Sequence, residues 1–238
     1  METVGLYDIL TVEPAAHPSI SCNWAEFPDE NTLTKCLRLV SEATTVPPLR
    51  ITLEKHIPCQ SGLGGASSDA AGLLRALQGY LPALLPEPFI RDVAQSVGSD
   101  VPFFLVGGRC AATGYGEILE QLAPSRHAYF VIAQPAEMQS TAVAYAALDA
   151  KTYDWRQMEK EATYNDFERV APKESLNLIA KLRRLGGTSG LTGSGSAVFG
   201  AFDDWSTCEA VSTLLLAEGV PFVAVAKPAC GLELEILD

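Results

Sequence analysis

Between Pro58 and Asp69 the chain reads P-C-Q-S-G-L-G-G-A-S-S-D, and A-A-G-L-L-R-A-L follows through Leu77. Three glycines and three serines crowd this short loop. Ahead of it, Leu49 to Ile57 alternates apolar and polar residues, the period of a half-buried strand. Behind it, Ala70, Leu73, Leu74, Leu77 and Leu81 fall on one apolar helix face. The element is therefore strand, glycine loop, helix N-terminus. A first helical turn has unpaired N–H groups and about half a unit of positive charge. Glycines let the backbone approach a ligand closely, and Ser67 and Ser68 place hydroxyls at the expected cap. Such a site suits an anion, above all a phosphate. A glycine turn capped by serine is the plainer reading. A P-loop lysine is absent, and Ser67 stands where a dinucleotide fingerprint needs its last glycine.

The 238 residues, 47% hydrophobic and 19% charged, suit a globular protein of one large or two small domains. A net charge of -12 argues against nucleic acid and anionic membrane as partners. It does not argue against ATP, because charges beyond a Debye length of about 8 Å are screened. Cys22, Cys36, Cys59, Cys110, Cys208 and Cys230 are scattered without a C-x-x-C, which favours free thiols in a reducing, cytoplasmic setting and no metal site. His17, His56 and His127 are isolated. No signal-peptide pattern opens the sequence. The most apolar late run, Leu214 to Ala229, is broken by Glu218, Pro221, Lys227 and Pro228, so no membrane span is expected.

Taken in order, Met1 to Val12 reads as a strand, Ile20 to Trp24 as a second, and Leu33 to Val40 as a helix capped within Asp29–Thr32. Phe89 to Val97 is a helix stopping at G-S-D-V-P-F-F, where Asp100 is either part of a helix C-cap or a partly desolvated carboxylate able to accept a proton. Strand and tight turn continue from Val106 to Glu117. The pattern restarts near Ala123-Pro124, with Tyr129 to Ala133 as a strand and Thr141 to Leu148 as a helix. Residues 149 to 172 read as helix and loop. Ser175 to Leu185 is a helix with Leu176, Ile179 and Leu182 inward. A second glycine-rich loop, L-T-G-S-G-S at Leu191 to Ser196, enters the strand Ala197 to Phe202. Cys208 to Glu218 is a helix, and Phe222 to Ala226 and Leu232 to Leu237 are strands.

P-C-Q-S-G-L-G-G-A-S-S, G-S-D-V-P-F-F, N-D-F-E at Asn165 to Glu168, and L-T-G-S-G-S-A-V-F together resemble the ordered motifs of the GHMP small-molecule kinases. The second and third look most like the branch whose acceptor is a cytidine-diphosphate-linked methylerythritol. The resemblance implies an α/β (α+β) fold of two domains with the site in the cleft between them. Residues 1–123 would form a ribosomal-protein-S5-like ATP-binding domain, and 124–238 a ferredoxin-like domain. ATP with Mg²⁺ would be bound by Pro58, Cys59, Gln60, Ser61, Gly62, Leu63, Gly64, Gly65, Ala66, Ser67 and Ser68. Ala66 stands where the family usually has glycine, which a negative φ tolerates. Asp100 would be the catalytic carboxylate, and Thr141 and Tyr145 would contact the acceptor, Tyr145 beside its cytosine ring. Gly193 to Ser196 would close the site, and Lys55 and Asn31 fall in segments near the nucleotide.

The family opens with a lysine-bearing strand and an Asp-Gly-Tyr-His segment, and Met1 to Val4 aligns just after both. An upstream-extended form is therefore expected to be more stable and the better enzyme. Rival readings are a GHMP kinase for another small alcohol and a catalytically silent nucleotide-binding relative. The expected species is a cytoplasmic monomer or homodimer.

Overall fold

The computed structural model describes residues 1–125, 129–150 and 165–235. The chain divides into two compact units: Met1–His56 with Gly64–Pro124 and the stretch from Ala229, and Ile57–Leu63 with Ser125–Pro228. The glycine loop is thus shared, its first half belonging to the second unit and its second half to the first.

In the first unit, β3 (Leu49–Glu54) lies between β1 (Ile9–Pro14), antiparallel to it, and β2 (Ser19–Cys22), parallel to it. Leu49, Ile51 and Leu53 of β3 alternate inward as the sequence pattern requires. They meet α1 (Thr32–Ala43), α2 (Gly65–Tyr80) and α3 (Glu87–Val97) in one core. Leu73, Leu74 and Leu77 of α2 are all 0% exposed, each burial stabilising by about 1.5–3 kcal/mol. Asn31 caps α1, its side chain accepting from the Leu33 and Thr34 N–H groups while Thr34 Oγ1 answers the Asn31 N–H. A short helix α4 (Val101–Val106) and the hairpin of β4 (Cys110–Thr113) and β5 (Ile118–Gln121) complete this unit.

The second unit runs β6 (Tyr129–Gln134), α5 (Thr141–Asp149), a 3-10 turn (Asp166–Arg169), α6 (Lys173–Arg184), β7 (Thr188–Leu191), β8 (Val198–Phe202), α7 (Trp205–Ala217) and β9 (Phe222–Ala226). Its antiparallel sheet has the order β7-β8-β6-β9. With α6 and α7 as crossovers this is the β-α-β-β-α-β arrangement of the ferredoxin-like fold.

Four expectations need correction. The N-terminal strand is not continuous: residues 1–4 run beside 108–110, with Thr3 N–H bonded to Gly108 O at 2.9 Å, and β1 starts only at Ile9 after a bend at Gly5. The strand expected from Val106 starts only at Cys110, because V-P-F-F-L-V forms helix α4 with its proline tolerated in the first turn. Leu176 is 40% exposed, because Ser175, Leu178, Ile179 and Leu182 make the inward face of α6. Residues 232–235 form no strand, and Ile236 and Leu237 lie outside the described residues, as do His127 and most of the 149–172 segment.

Candidate active site

The first half of the glycine loop is locked by backbone bonds within the second unit. Gln60 O accepts the Ser196 N–H at 2.9 Å, and Ser61 O accepts the Ala197 N–H at 3.1 Å and Thr192 Oγ1 at 2.6 Å. Gln134 Nε2 donates to Cys59 O at 3.0 Å. Gly62 has φ +73, and a Cβ on it would lie 2.0 Å from Thr192 O. Gly193 has φ +47, and its Cβ would lie 2.7 Å from Gly62 O. The two glycine-rich stretches are therefore built for each other: both need a missing side chain so that their backbones can touch. Pro58 and Leu63 are half-buried in this run, Ser61 is buried, and Gln60 is exposed with φ 51.

The second half starts α2. Its N-cap is Gly64, at φ 75, with no side-chain capping bond. Ser67 and Ser68 do not cap the helix as expected. Their N–H groups bond to Gly64 O at 3.0 and 2.9 Å, and Ser68 Oγ turns back to Gly65 O at 2.8 Å. A cap needs a side chain ahead of the first turn, and these two lie inside it. Ala66 sits within the helix with no positive φ, and its carbonyl accepts from Thr32 Oγ1 at 2.9 Å. The alanine in place of the usual glycine is thus harmless to the backbone.

Just past the loop, Asp69 is buried with its carboxylate 2.8 Å from Lys55 Nζ. Lys55 also holds Asp8, whose Oδ1 accepts the His56 N–H. The cluster joins the approach to β1, the end of β3 and the second turn of α2. Burial pushes the Asp69 carboxyl up to about 7; Lys55 opposes this and Asp8 adds to it. Burial also works against the charge of Lys55, but Asp69 and Asp8 outweigh it and hold the ammonium above the ordinary lysine range. Sequence reasoning set Lys55 near the nucleotide but missed both aspartates. The one available signal was an acid placed directly at the apolar face of α2.

Asp100 stands at the N-cap position of α4, behind the C-cap Gly98 of α3, and is exposed. It makes no capping bond, and Ser99 Oγ lies 3.5 Å from Oδ1. The expected partial desolvation is absent, because only Val101, Pro102 and Phe103 turn inward here. The tip of the β4–β5 hairpin backs this corner: a Cβ on Gly116 would lie 3.0 Å from Ser99 O.

In the second unit, Ser140 caps α5, and Thr141 Oγ1 sits 3.0 Å from Ser194 Oγ of the second glycine loop. Tyr145, one turn further, is 55% exposed and meets Phe167 edge-on with centroids 4.9 Å apart. Thr141, Tyr145 and the Leu191–Ser196 loop are thus brought together in one unit, and Lys55 and the start of α2 in the other. Among the described residues no three His, Cys, Asp or Glu side chains gather into a metal cage, and no helix is long and apolar enough to cross a membrane.

Comparison with known proteins agrees with the motifs. The model of the GHMP kinases N terminal domain matches residues 31–108. The 4-diphosphocytidyl-2-C-methyl-D-erythritol kinase of Thermosipho melanesiensis is 42% identical over 171 residues of alignment, covering 64% of this chain and 61% of that protein. The kinase of the same name from Chlorobium phaeobacteroides is 35% identical over 230 residues of alignment, covering 87% of this chain and 80% of its own. A crystal structure of 4-(cytidine 5'-diphospho)-2C-methyl-D-erythritol kinase superposes with a TM-score of 0.75 at 29% identity, covering 94% of this chain and 87% of that one. On these grounds the chain belongs to the GHMP kinases, in the family of the 4-diphosphocytidyl-2-C-methyl-D-erythritol kinases.

Proposed function

We propose that the chain transfers the γ-phosphate of ATP to the 2-hydroxyl of 4-diphosphocytidyl-2-C-methyl-D-erythritol, a step of isoprenoid precursor synthesis in the cytoplasm. The observation that carries the reading is the start of α2: a helix without a side-chain cap, entered through a glycine loop whose preceding residues are pinned by backbone bonds. A fixed, uncapped helix N-terminus offers N–H groups and positive dipole to phosphate oxygens. Pro58 to Ser68 hold ATP in this reading. Thr141 and Tyr145 hold the acceptor, Tyr145 against its cytosine ring. Asp100, open to solvent, takes the proton of the acceptor hydroxyl as that oxygen bonds to the γ-phosphorus, while the bond to the β,γ-bridging oxygen breaks and ADP leaves. Phosphoryl transfer depends mainly on positioning and electrostatics, which suits a site built of loops.

The donor set fits Mg²⁺ brought in on ATP. Magnesium is commonly held by one or two carboxylates and the substrate's phosphates, and the described residues offer no all-protein cage. Asp100, an exposed carboxylate, is the one this reading assigns to the acceptor hydroxyl; Mg²⁺ would neutralise phosphate charge during transfer.

The test is an ATP-dependent phosphorylation assay with the cytidylated acceptor, read by ADP release and by phosphorus NMR of the product. Turnover with that acceptor is expected. Turnover only with a different small alcohol, or nucleotide binding with no turnover of any acceptor, would overturn the assignment.

A further inference from the structure

The run Asn165-Asp-Phe-Glu168 stands out in the sequence, and the chemistry above leaves it without a task. In the structure it touches Tyr145 and the second glycine loop, whose Ser194 meets Thr141. Its turn is capped by the Asn165 side chain, whose Oδ1 accepts the Phe167 N–H at 3.0 Å. Asn165 Nδ2 then donates to Leu191 O at 3.1 Å and Gly193 O at 2.8 Å. Glu168 Oε1 accepts the Leu191 N–H at 3.0 Å. The second glycine loop is thereby held at both its strand end and its turn. From the same run, the Phe167 ring packs partly into the core and stands at 89° to the ring of Tyr145. Tyr145 is 55% exposed, and among the described residues the Phe167 ring packs against it.

We propose that Asn165–Glu168 is a positioning element for the acceptor. Phe167 presets the Tyr145 ring against a planar pyrimidine base, and Asn165 with Glu168 presets the loop carrying Ser194, the hydroxyl partner of Thr141. The inference rests on the assignment of Tyr145 and Thr141 to the acceptor. Its physical basis is preorganisation: a ring and a loop already ordered lose less freedom when the ligand binds. An edge-to-face pair also fixes ring orientation more sharply than apolar burial alone.

The experiment measures kcat and separate KM values for ATP and for the cytidylated acceptor. Phe167→Leu keeps the apolar volume and removes the ring, and Phe167→Tyr keeps the ring. Expected for Phe167→Leu is a rise of roughly five-fold in the acceptor KM, the scale of one lost aromatic pair. The ATP KM and kcat should stay within about two-fold, and Phe167→Tyr should restore the acceptor KM. A cycle with Tyr145→Ala separates positioning from mere folding. Once Tyr145 is gone, Phe167→Leu should cost the acceptor KM nothing further. Should Phe167→Leu fail to fold, Phe167→Met carries the same comparison. An unchanged acceptor KM, equal rises in both KM values, or full additivity in the cycle overturns the proposal while wild-type turnover stands. Absence of wild-type turnover with the cytidylated acceptor overturns it together with the assignment on which it rests.

Discussion

Asp69 and Asp100 belong to the same unit and lie in or beside the first turns of two helices, yet their surroundings are opposite. Asp69 is buried against Lys55 and Asp8, with its carboxyl pushed up to about 7. Asp100 is exposed, without a capping bond. The difference separates two uses of a carboxylate. A buried acid beside a lysine ties elements together, while burial and the lysine pull its protonation in opposite directions. An acid that takes a proton from a substrate must be reachable, and substrate binding can supply the dry surroundings that the unliganded protein lacks.

Exchanging Asp100 for its amide is the strongest way to break this comparison. Asp100→Asn should lower kcat by roughly 10²–10⁴-fold, about 3–5 kcal/mol in barrier, with the melting temperature nearly unmoved. Steady-state kinetics beside a thermal melt decide it. Retention of half the wild-type kcat would remove Asp100 from the mechanism.

The mirror-image experiment strikes the buried cluster. Lys55→Met should leave Asp8 and Asp69 without their shared cation and lower stability by about 3–5 kcal/mol, the cost of breaking a buried pair from one side. Urea unfolding monitored by circular dichroism measures it. A loss under about 1 kcal/mol would mean that the three groups do not act as a clamp.

Gly64, at the entry to α2, responds through strain. Gly64 has φ +75, and a Cβ there would come 2.7 Å from the Phe104 ring. Gly64→Ala should therefore cost about 1–3 kcal/mol of stability in addition to weakening ATP binding. Gly64→Val cannot leave the core untouched, as blockage of phosphate approach alone would suggest. Calorimetric titration with ATP and Mg²⁺, paired with a melt, separates the two effects. An unchanged melt would show that Phe104 yields freely.

Much of this was legible in the chain itself. The alternation of Leu49 to Glu54 and the 3.6-residue spacing of Ala70, Leu73, Leu74 and Leu77 are local signals, and β3 and α2 follow them. Helix α4 was not legible, because six residues that are all apolar have no period and begin with a proline signal. Strand β7 hides in T-S-G-L behind two glycines, and its strand character comes from pairing with β8. The glycines at 62 and 193 were visible, but not the backbone contact that requires them, since that depends on residues distant in sequence. The clamp has the same character: Asp8, Lys55 and Asp69 meet only after β1, β3 and α2 have packed.

The smallest effect, and the finest test of the contrast between the acids, is in the pH dependence of stability. The folded Asp69 carboxyl titrates near 7, against an ordinary value of 3.8. Below the lower value both folded and unfolded chains hold the proton, and Asp69 contributes no slope. Between about 4 and 7 the unfolded chain has released it while the folded chain keeps it. Folding then takes up a proton, and stability falls as pH rises, by at most about 1.4 kcal/mol per pH unit. Above 7 both forms are ionised and the slope vanishes. Asp69→Asn keeps the shape, cannot ionise, and should flatten this window while leaving the rest of the stability profile in place. Urea unfolding at half-unit intervals from pH 4 to 8, on wild type and Asp69→Asn, measures the difference. If Asp69→Asn and wild type give parallel curves across the window, Asp69 is ionised throughout and the buried cluster carries a net negative charge.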